Sequence, residues 1–180
     1  MIKVLLSGCN GRMGKAISEM CLKNPNVEIV AGYDLCIEQH FGYPVYNDFA
    51  YINETIDVVI DFSNPKTLSG LLNYCITKKC PIVLCTTGYS DDDLRTIESA
   101  SENIPIFRSG NMSLGINVLM MLAKRATQVL GESFDIEIIE RHHNQKLDAP
   151  SGTAIMLAEA VESALPYPLC SSLHPFTLPL

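Results

Sequence analysis

The sequence has no excess of basic charge, no long apolar run and no closely spaced pair of cysteines. A net charge of −7 leaves no basic stripe to neutralise phosphates, which argues against a nucleic-acid partner. The most apolar stretch, residues 114–123, is about half of the roughly 20 residues that a membrane-spanning helix needs, so no membrane association is expected. The apolar run at the N-terminus is too short for a signal peptide and has no small-residue cleavage site.

The seven cysteines are an odd number, and none forms a C-x-x-C pair. Without an export signal, we expect reduced thiols in a cytoplasmic protein. These cysteines form no C-x-x-C pair of the kind that structural zinc sites use, so no metal site is predicted.

Over the first 109 residues, apolar runs of strand length alternate with segments of helical period. Strands are predicted at residues 3–7, 27–33, 57–61, 81–85 and 104–107. A helix is predicted at residues 12–23, a second begins at Pro65, and Ser90 with the three aspartates after it caps a third. Continuous apolar strands separated by helices indicate a parallel sheet covered on both faces. The predicted fold is therefore α/β, a Rossmann-like doubly wound parallel sheet.

The pattern changes after Ser109. A long helix is predicted at residues 113–130, a half-solvated strand at 135–141, where apolar and charged residues alternate, and a final helix at 151–165. We therefore predict a dinucleotide-binding domain at 1–112 and an incomplete α+β substrate domain at 113–165. Residues 166–180 form an atypical tail that holds four of the ten prolines and no Lys, Arg, Asp or Glu.

A glycine-rich loop separates the first strand from the first helix. Gly8, Gly11 and Gly14 follow the spacing G-x-x-G-x-x-G, a loose match to the G-x-G-x-x-G fingerprint. Such a loop lets the backbone approach a pyrophosphate at a helix N-terminus, although it also occurs as a turn that only packs helix on strand. The cofactor-binding candidates here are Gly8, Cys9, Asn10, Gly11, Arg12 and Met13.

Asp34 ends the second predicted strand, twenty positions after Gly14. An acidic residue at about this position bonds the ribose hydroxyls of a dinucleotide. A carboxylate there repels a 2′-phosphate, so NADH is the expected better cofactor. Arg12 is able to pair with such a phosphate, which leaves use of NADPH open.

The stretch from Glu140 to Ala154 reads E-R-H-H-N-Q-K-L-D-A-P-S-G-T-A. The backbone N–H groups of Gly152 and Thr153, at the start of a helix, offer a site for a carboxylate. Lys146 adds a charge that pairs with an anion or delivers a proton, and His142 suits a general acid near neutral pH. Adjacent histidines in a strand point to opposite faces, which disfavours a shared metal.

These motifs together resemble the dihydrodipicolinate reductases, now called 4-hydroxy-tetrahydrodipicolinate reductases. The similarity covers residues 1–165 and is carried, in family order, by the loop GCNGRMG, VIDFS at 59–63, TTG at 86–88, NMSLGINVL at 111–119 and the string E-R-H-H-N-Q-K-L-D-A-P-S-G-T-A. It implies an oxidoreductase that reduces 4-hydroxy-tetrahydrodipicolinate, a small dicarboxylate, with NADH or NADPH in diaminopimelate and lysine biosynthesis.

The resemblance also implies residue roles. His142 would be the proton donor and Lys146 its catalytic partner, while His143, Gly152 and Thr153 would hold the substrate carboxylates. Further cofactor contacts are implied at Cys85, Thr86, Thr87, Ser109, Gly110, Asn111 and Met112. Cys85 stands where the family has glycine, and Leu35 stands where some members have an arginine for the 2′-phosphate, which favours NADH.

Members of this family continue beyond 180 residues with strands that complete the substrate domain. The resemblance implies a homotetramer formed through that sheet, an assembly that the absence of those strands puts in question. A truncated or frame-shifted product would explain the tail. Two alternatives follow: an inactive dinucleotide-binding remnant, or a Rossmann oxidoreductase acting on sugars or alcohols, which leaves the stretch from His142 to Ala154 unexplained.

Overall fold

A computed structural model describes residues 1–142 and 150–165 of the chain. These residues divide into two compact units, of which the first is Met1–Ser109 and the second begins at Gly110. The division falls three residues before the end of the first domain predicted from the sequence.

The first unit alternates strands and helices. Its strands are β1 (Ile2–Ser7), β2 (Val27–Tyr33), β3 (Val45–Tyr46), β4 (Val58–Asp61), β5 (Ile82–Leu84) and β6 (Ile106–Arg108). Its helices are α1 (Arg12–Cys21), α2 (Leu68–Lys78) and α3 (Asp91–Ser101), with short 3-10 turns at Phe49–Tyr51 and Pro65–Thr67. The sequence located every strand except β3, which is only two residues long and carries no periodic signal.

The six strands form one parallel sheet in the order β3-β2-β1-β4-β5-β6. Along the chain, β2 and β3 are added on one side of β1, and β4, β5 and β6 are then added on its other side, so the direction of addition reverses. In an open parallel sheet, ligands bind at the carboxyl ends of the strands where this reversal occurs. The α/β doubly wound prediction is confirmed, and the crevice is expected beside the ends of β1 and β4.

Apolar side chains on the two sides of the sheet form separate cores. Neighbouring residues in a strand point to opposite faces, so Leu5 and Leu6 are both fully buried but in different clusters. One cluster joins the sheet to α2 and α3, and the other joins it to Ile17 of α1 and to Tyr43. The sheet is therefore covered on both faces, as continuous apolar strands require.

The starts of α3 and α2 differ in how closely they follow the sequence prediction. Ser90 and Asp93 form a reciprocal capping box at the start of α3, which confirms the predicted cap. Pro65 opens a 3-10 turn that leads into α2 at Leu68, rather than opening the α-helix itself.

The second unit contains α4 (Leu114–Leu130), a 3-10 turn at Gly131–Ser133 and α5 (Gly152–Glu162), and the two helices pack on each other. Ser113 and Ser151 are their N-caps. The strand predicted at residues 135–141 is wrong, because a strand needs a partner for its backbone groups and the described part of this unit supplies none. The tail at 166–180 lies outside the described residues.

No helix within residues 1–142 and 150–165 combines the length and apolar character that crossing a bilayer demands.

Candidate functional site

The loop between β1 and α1 is shaped by two glycines that no other residue replaces without a clash. Gly8 has φ +77°, and a Cβ there would lie 2.5 Å from the carbonyl oxygen of Phe62. A Cβ on Gly14 would lie 2.2 Å from the carbonyl oxygen of Gly8. The first glycine therefore allows the turn beside β4, and the third lets α1 approach the end of β1.

The N-terminus of α1 is free of side-chain capping. Gly11 is its N-cap, no side chain accepts a hydrogen bond from the first turn, and that turn holds no acidic residue. The first backbone N–H groups of a helix lack intrahelical acceptors and carry the positive end of its dipole. Arg12 and Met13 are exposed beside them. This geometry fits an anionic group such as a pyrophosphate.

Asp34 connects the glycine loop to the segment after β2. Its Oδ2 accepts a hydrogen bond from the backbone N–H of Asn10 (3.0 Å), and its Oδ1 accepts one from the N–H of Cys36 (3.2 Å). The amide of Asn10 donates in turn to the carbonyls of Cys36 (2.6 Å) and Glu38 (2.9 Å). Asp34 is half-buried at the end of β2, beside the loop that the sequence assigned to the cofactor.

Cys9 has its side chain in the core rather than at the surface. The thiol is fully buried and lies in the cluster with Leu6 and Tyr43, directly above Gly32. Burial, and then the nearby Asp34 carboxylate, raise the pKa of this thiol to about 12. Only the backbone of Cys9 is left to face a ligand.

A buried carboxylate lies at the carboxyl end of β4. Asp61 is fully buried and accepts hydrogen bonds from the hydroxyls of Ser63 (2.5 Å), Thr86 (2.6 Å) and Tyr89 (3.4 Å). Thr86 is itself buried, whereas Thr87 is exposed. The predicted cofactor residue Thr86 is therefore tied to β4 through its side chain.

Cys85 is half-buried beside this carboxylate, and its N–H donates to the backbone carbonyl of Asp61 (2.9 Å). Burial, followed by the charge of Asp61, raises the pKa of the Cys85 thiol to about 11. The same two causes, in the same order, raise the pKa of Tyr89. Both the Cys85 thiol and the Tyr89 hydroxyl are neutral near pH 7, so neither adds a charge beside the carboxylate.

Residues 109–112 follow β6. Ser109 ends the first unit, and its N–H donates to the carbonyl of Leu84 (3.1 Å). Asn111 belongs to the second unit, where its amide nitrogen donates to the hydroxyl of Thr153 (2.9 Å) and its Oδ1 accepts from the N–H of Ser113 (2.8 Å). Asn111 thereby joins the starts of α4 and α5. Gly110 and Met112 flank it, and Met112 is exposed.

Glu140 holds together His142 and the start of α5. One carboxylate oxygen accepts from the backbone N–H of Ser151 (2.7 Å), and the other accepts from the Ser151 hydroxyl and lies 2.8 Å from Nε2 of His142. The two Ser151 hydrogen bonds, the hydroxyl first, are the main reason that the pKa of Glu140 is lowered to about 2. An ionised carboxylate therefore sits next to the predicted proton donor.

The first turn of α5 presents backbone donors. The Ser151 hydroxyl accepts from the N–H of Ala154 (3.1 Å), which leaves the N–H groups of Gly152 and Thr153 ahead of the capped position. These are the two donors that the sequence assigned to a substrate carboxylate. His143 and Lys146 lie outside the described residues.

Within residues 1–142 and 150–165, no three His, Cys, Asp or Glu side chains gather closely enough to hold a metal ion.

Comparison with known proteins gives the chain its family. The model of the dihydrodipicolinate reductase N-terminus matches residues 2–112, and the model of the dihydrodipicolinate reductase C-terminus matches residues 115–172. The chain belongs to the dihydrodipicolinate reductase family. The resemblance found in the sequence is thereby confirmed.

Two curated 4-hydroxy-tetrahydrodipicolinate reductases show the relationship within the family. The protein of Caldanaerobacter subterraneus subsp. tengcongensis is 51% identical over 168 residues, and that of Clostridium tetani is 50% identical over 167 residues. Each alignment covers 92% of this chain and 65% of the relative. The chain thus spans about two thirds of the length of these relatives.

A solved structure agrees with this assignment. The dipicolinate-bound dihydrodipicolinate reductase from Paenisporosarcina sp. TG-14 superposes with a TM-score of 0.75 at 29% sequence identity. The superposition covers 99% of this chain and 72% of that one.

Sequence reasoning named the family motifs but gave no role to two carboxylates that the structure makes prominent. Asp61 lies within VIDFS, and its signal was a single charged residue at the end of an otherwise apolar buried strand. Glu140 stands two residues before His142, and its charge so close to a candidate proton donor was the signal available in the sequence.

Proposed function

We propose that this chain carries the cofactor site and the proton-donating residues of a 4-hydroxy-tetrahydrodipicolinate reductase. The reaction would reduce 4-hydroxy-tetrahydrodipicolinate, which loses water, to tetrahydrodipicolinate on the route to diaminopimelate and lysine. The observation that best supports this proposal is the glycine loop after β1. The loop leads into a helix N-terminus that no side chain caps, and it lies where the strand order of the sheet reverses. The chain is also a member of this family.

The residues present fit a dinucleotide. The uncapped start of α1 suits the pyrophosphate, and the absence of a side chain on Gly11 keeps that end open. Asp34, anchored through Asn10, stands at the end of β2, where an acidic residue bonds the ribose hydroxyls. NAD(P)H supplies a hydride when bound.

We assign the cofactor contacts to the residues named from the sequence, with two specifications. Cys9 contributes its backbone only, since its thiol lies in the core. Asp34 favours NADH over NADPH because its carboxylate repels a 2′-phosphate, and the exposed guanidinium of Arg12 moderates that preference by pairing with the phosphate.

In the second unit, His142 is the proposed proton donor. Its Nε2 lies 2.8 Å from a Glu140 oxygen, and a hydrogen bond at this distance holds the ring in one orientation. The N–H groups of Gly152 and Thr153 would hold a substrate carboxylate, together with His143, and Lys146 would complete the proton-transfer pair.

A coupled assay on the full-length chain tests this proposal. NADH oxidation, followed by the loss of its near-ultraviolet absorbance, should depend on 4-hydroxy-tetrahydrodipicolinate. The rate should fall at least about 100-fold in His142→Gln and Lys146→Ala, the range that general acid–base residues contribute. Lys23→Ala, an exposed lysine in the first unit, is the matched control and should keep full activity. Cofactor binding without turnover in the parent chain would instead identify the inactive remnant.

Cofactor preference and assembly need separate measurements. Titrating NADH and NADPH into the same preparation gives the two dissociation constants, and a lower dissociation constant for NADPH than for NADH would contradict the role given to Asp34.

The homotetramer and the cytoplasmic location stay predictions. Analytical ultracentrifugation of the full-length chain tests the homotetramer.

A further inference from the structure

Asp61 is a charged residue in a place where charges are costly. It is fully buried at the last position of β4, paired in register with Ser7 of β1 on one side and Leu84 of β5 on the other. A buried carboxylate is tolerated only when other groups replace the hydrogen bonds of water. The groups that donate hydrogen bonds to Asp61 therefore indicate its role.

Four donors converge on this carboxylate. The N–H (3.3 Å) and hydroxyl (2.5 Å) of Ser63 donate to Oδ1, while the hydroxyls of Thr86 (2.6 Å) and Tyr89 (3.4 Å) donate to Oδ2. An ionised carboxylate has about four acceptor positions, and these donors fill them. None of the Lys, Arg or His side chains in the described ranges forms an ion pair with it.

The donors come from two different loops. Ser63 follows β4, and Thr86 and Tyr89 follow β5, so the carboxylate ties together both loops at the carboxyl edge of the sheet. Ser7, next to Asp61 in the sheet, takes no part: its hydroxyl is buried and has no hydrogen-bond partner among the described residues. The Asp61 carboxylate therefore bonds to the loops after β4 and β5 and not to the neighbouring hydroxyl of β1.

We propose that Asp61 is a positioning residue that fixes the Thr86 hydroxyl and the loop at 86–88, and so sets the affinity for the nicotinamide half of the dinucleotide. In a doubly wound sheet the β1 and β2 ends hold the adenosine half, and the β4 and β5 ends hold the other half. Asp61 ends β4, and among the described residues its carboxylate accepts hydrogen bonds from Ser63, Thr86 and Tyr89, none of which is assigned to the adenosine half. This inference rests on the proposed cofactor site.

The test compares two ligands on the full-length chain. NADH occupies both halves, whereas ADP-ribose lacks the nicotinamide and probes the adenosine half alone. Asp61→Asn should raise the dissociation constant for NADH about tenfold, equivalent to about 1.4 kcal/mol, while that for ADP-ribose stays within about twofold.

Thr86→Val removes the donor while preserving the shape of the side chain, and it should reproduce the NADH defect even if Asp61→Asn folds poorly. The double variant should bind NADH no more weakly than Thr86→Val alone, because the proposal has Asp61 act on NADH binding through the Thr86 hydroxyl. Thr86→Ser keeps the hydroxyl and should restore affinity.

Two variants serve as matched controls. Asp57→Asn makes the same change at an exposed position just before β4, and Ser7→Ala removes the unpartnered hydroxyl beside Asp61. Both should bind NADH like the parent.

Equal weakening of NADH and ADP-ribose in Asp61→Asn and Thr86→Val would show a purely structural role and overturn the inference, as would unchanged NADH binding in both. A parent chain that binds neither ligand would refute the cofactor site itself. A parent that binds both ligands equally well would leave the nicotinamide half unrecognised and overturn this inference alone.

Discussion

Replacing Gly14 by alanine would place a methyl group where backbone atoms already stand. The new Cβ would lie 2.2 Å from the carbonyl oxygen of Gly8 and 2.5 Å from that of Cys9, whereas real Cβ contacts essentially never fall below 3.0 Å. Relief requires a separation of at least 0.8 Å, the difference between 3.0 and 2.2 Å. Because both neighbours are backbone oxygens, no side-chain rotation provides it, and α1 must move away from β1.

The size of the effect follows from two opposing contributions. Overpacking of this kind costs about 1–3 kcal/mol, and the close backbone contact places Gly14→Ala near the upper end. Alanine recovers up to about 1 kcal/mol because it favours helix more than glycine does. We therefore expect a net loss of about 2 kcal/mol, which corresponds to a fall of about 1 M in the urea midpoint if m is about 2 kcal/mol/M.

Urea unfolding followed by circular dichroism measures this shift. Gly42→Ala is the control, since a Cβ there meets no atom within 4 Å, and it should leave the midpoint unchanged or raise it slightly. NADH binding should weaken only in Gly14→Ala, because only that change displaces the helix N-terminus. Equal midpoints for the two variants would refute the argument that the third glycine is required for close helix packing.

Three further predictions address other parts of the chain. The pKa of Glu140 is lowered from its ordinary value of 4.5 to about 2, so its ionised form stabilises the folded state above pH 4.5. This stabilisation is lost as the pH falls from 4.5 toward 2. The free energy of unfolding of Glu140→Gln should therefore decrease less over this pH interval than that of the parent. Ser90→Ala should lower the free energy of unfolding by about 1 kcal/mol, read from urea midpoints, because it removes the cap of α3. Iodoacetamide with peptide mapping should modify exposed Cys36 well before Cys9 and Cys75, whose thiols are buried and have pKa values raised to about 12; faster labelling of either buried thiol would contradict the packing.

Features that depend on neighbouring residues in the sequence were predicted well. The bounds of β2 match the apolar run at 27–33, and Ser90 caps the helix that the sequence assigned to it. Strand periodicity and capping are properties of a few consecutive residues, so a single sequence reveals them.

Features that depend on distant pairs were not predictable in this way. The contact between Asn10 and Asp34 joins residues 24 apart, and the one between Asp61 and Thr86 joins residues 25 apart. The strand predicted at 135–141 failed for the same reason, because alternation describes one strand and says nothing of its partner. The roles given to the site residues stay predictions until the variants above are measured.

The bonds of Asn10 and Asp34 have a consequence for redesign. Each carboxylate oxygen of Asp34 accepts a hydrogen bond from a backbone N–H, and the Asn10 amide donates to the carbonyls of Cys36 and Glu38. The glycine loop and the segment after β2 are therefore held together by one hydrogen-bond network. An engineer who exchanges Asp34 alone, in order to admit a different nucleotide, would also release the glycine loop. A successful graft would transfer position 10 and residues 34–38 together.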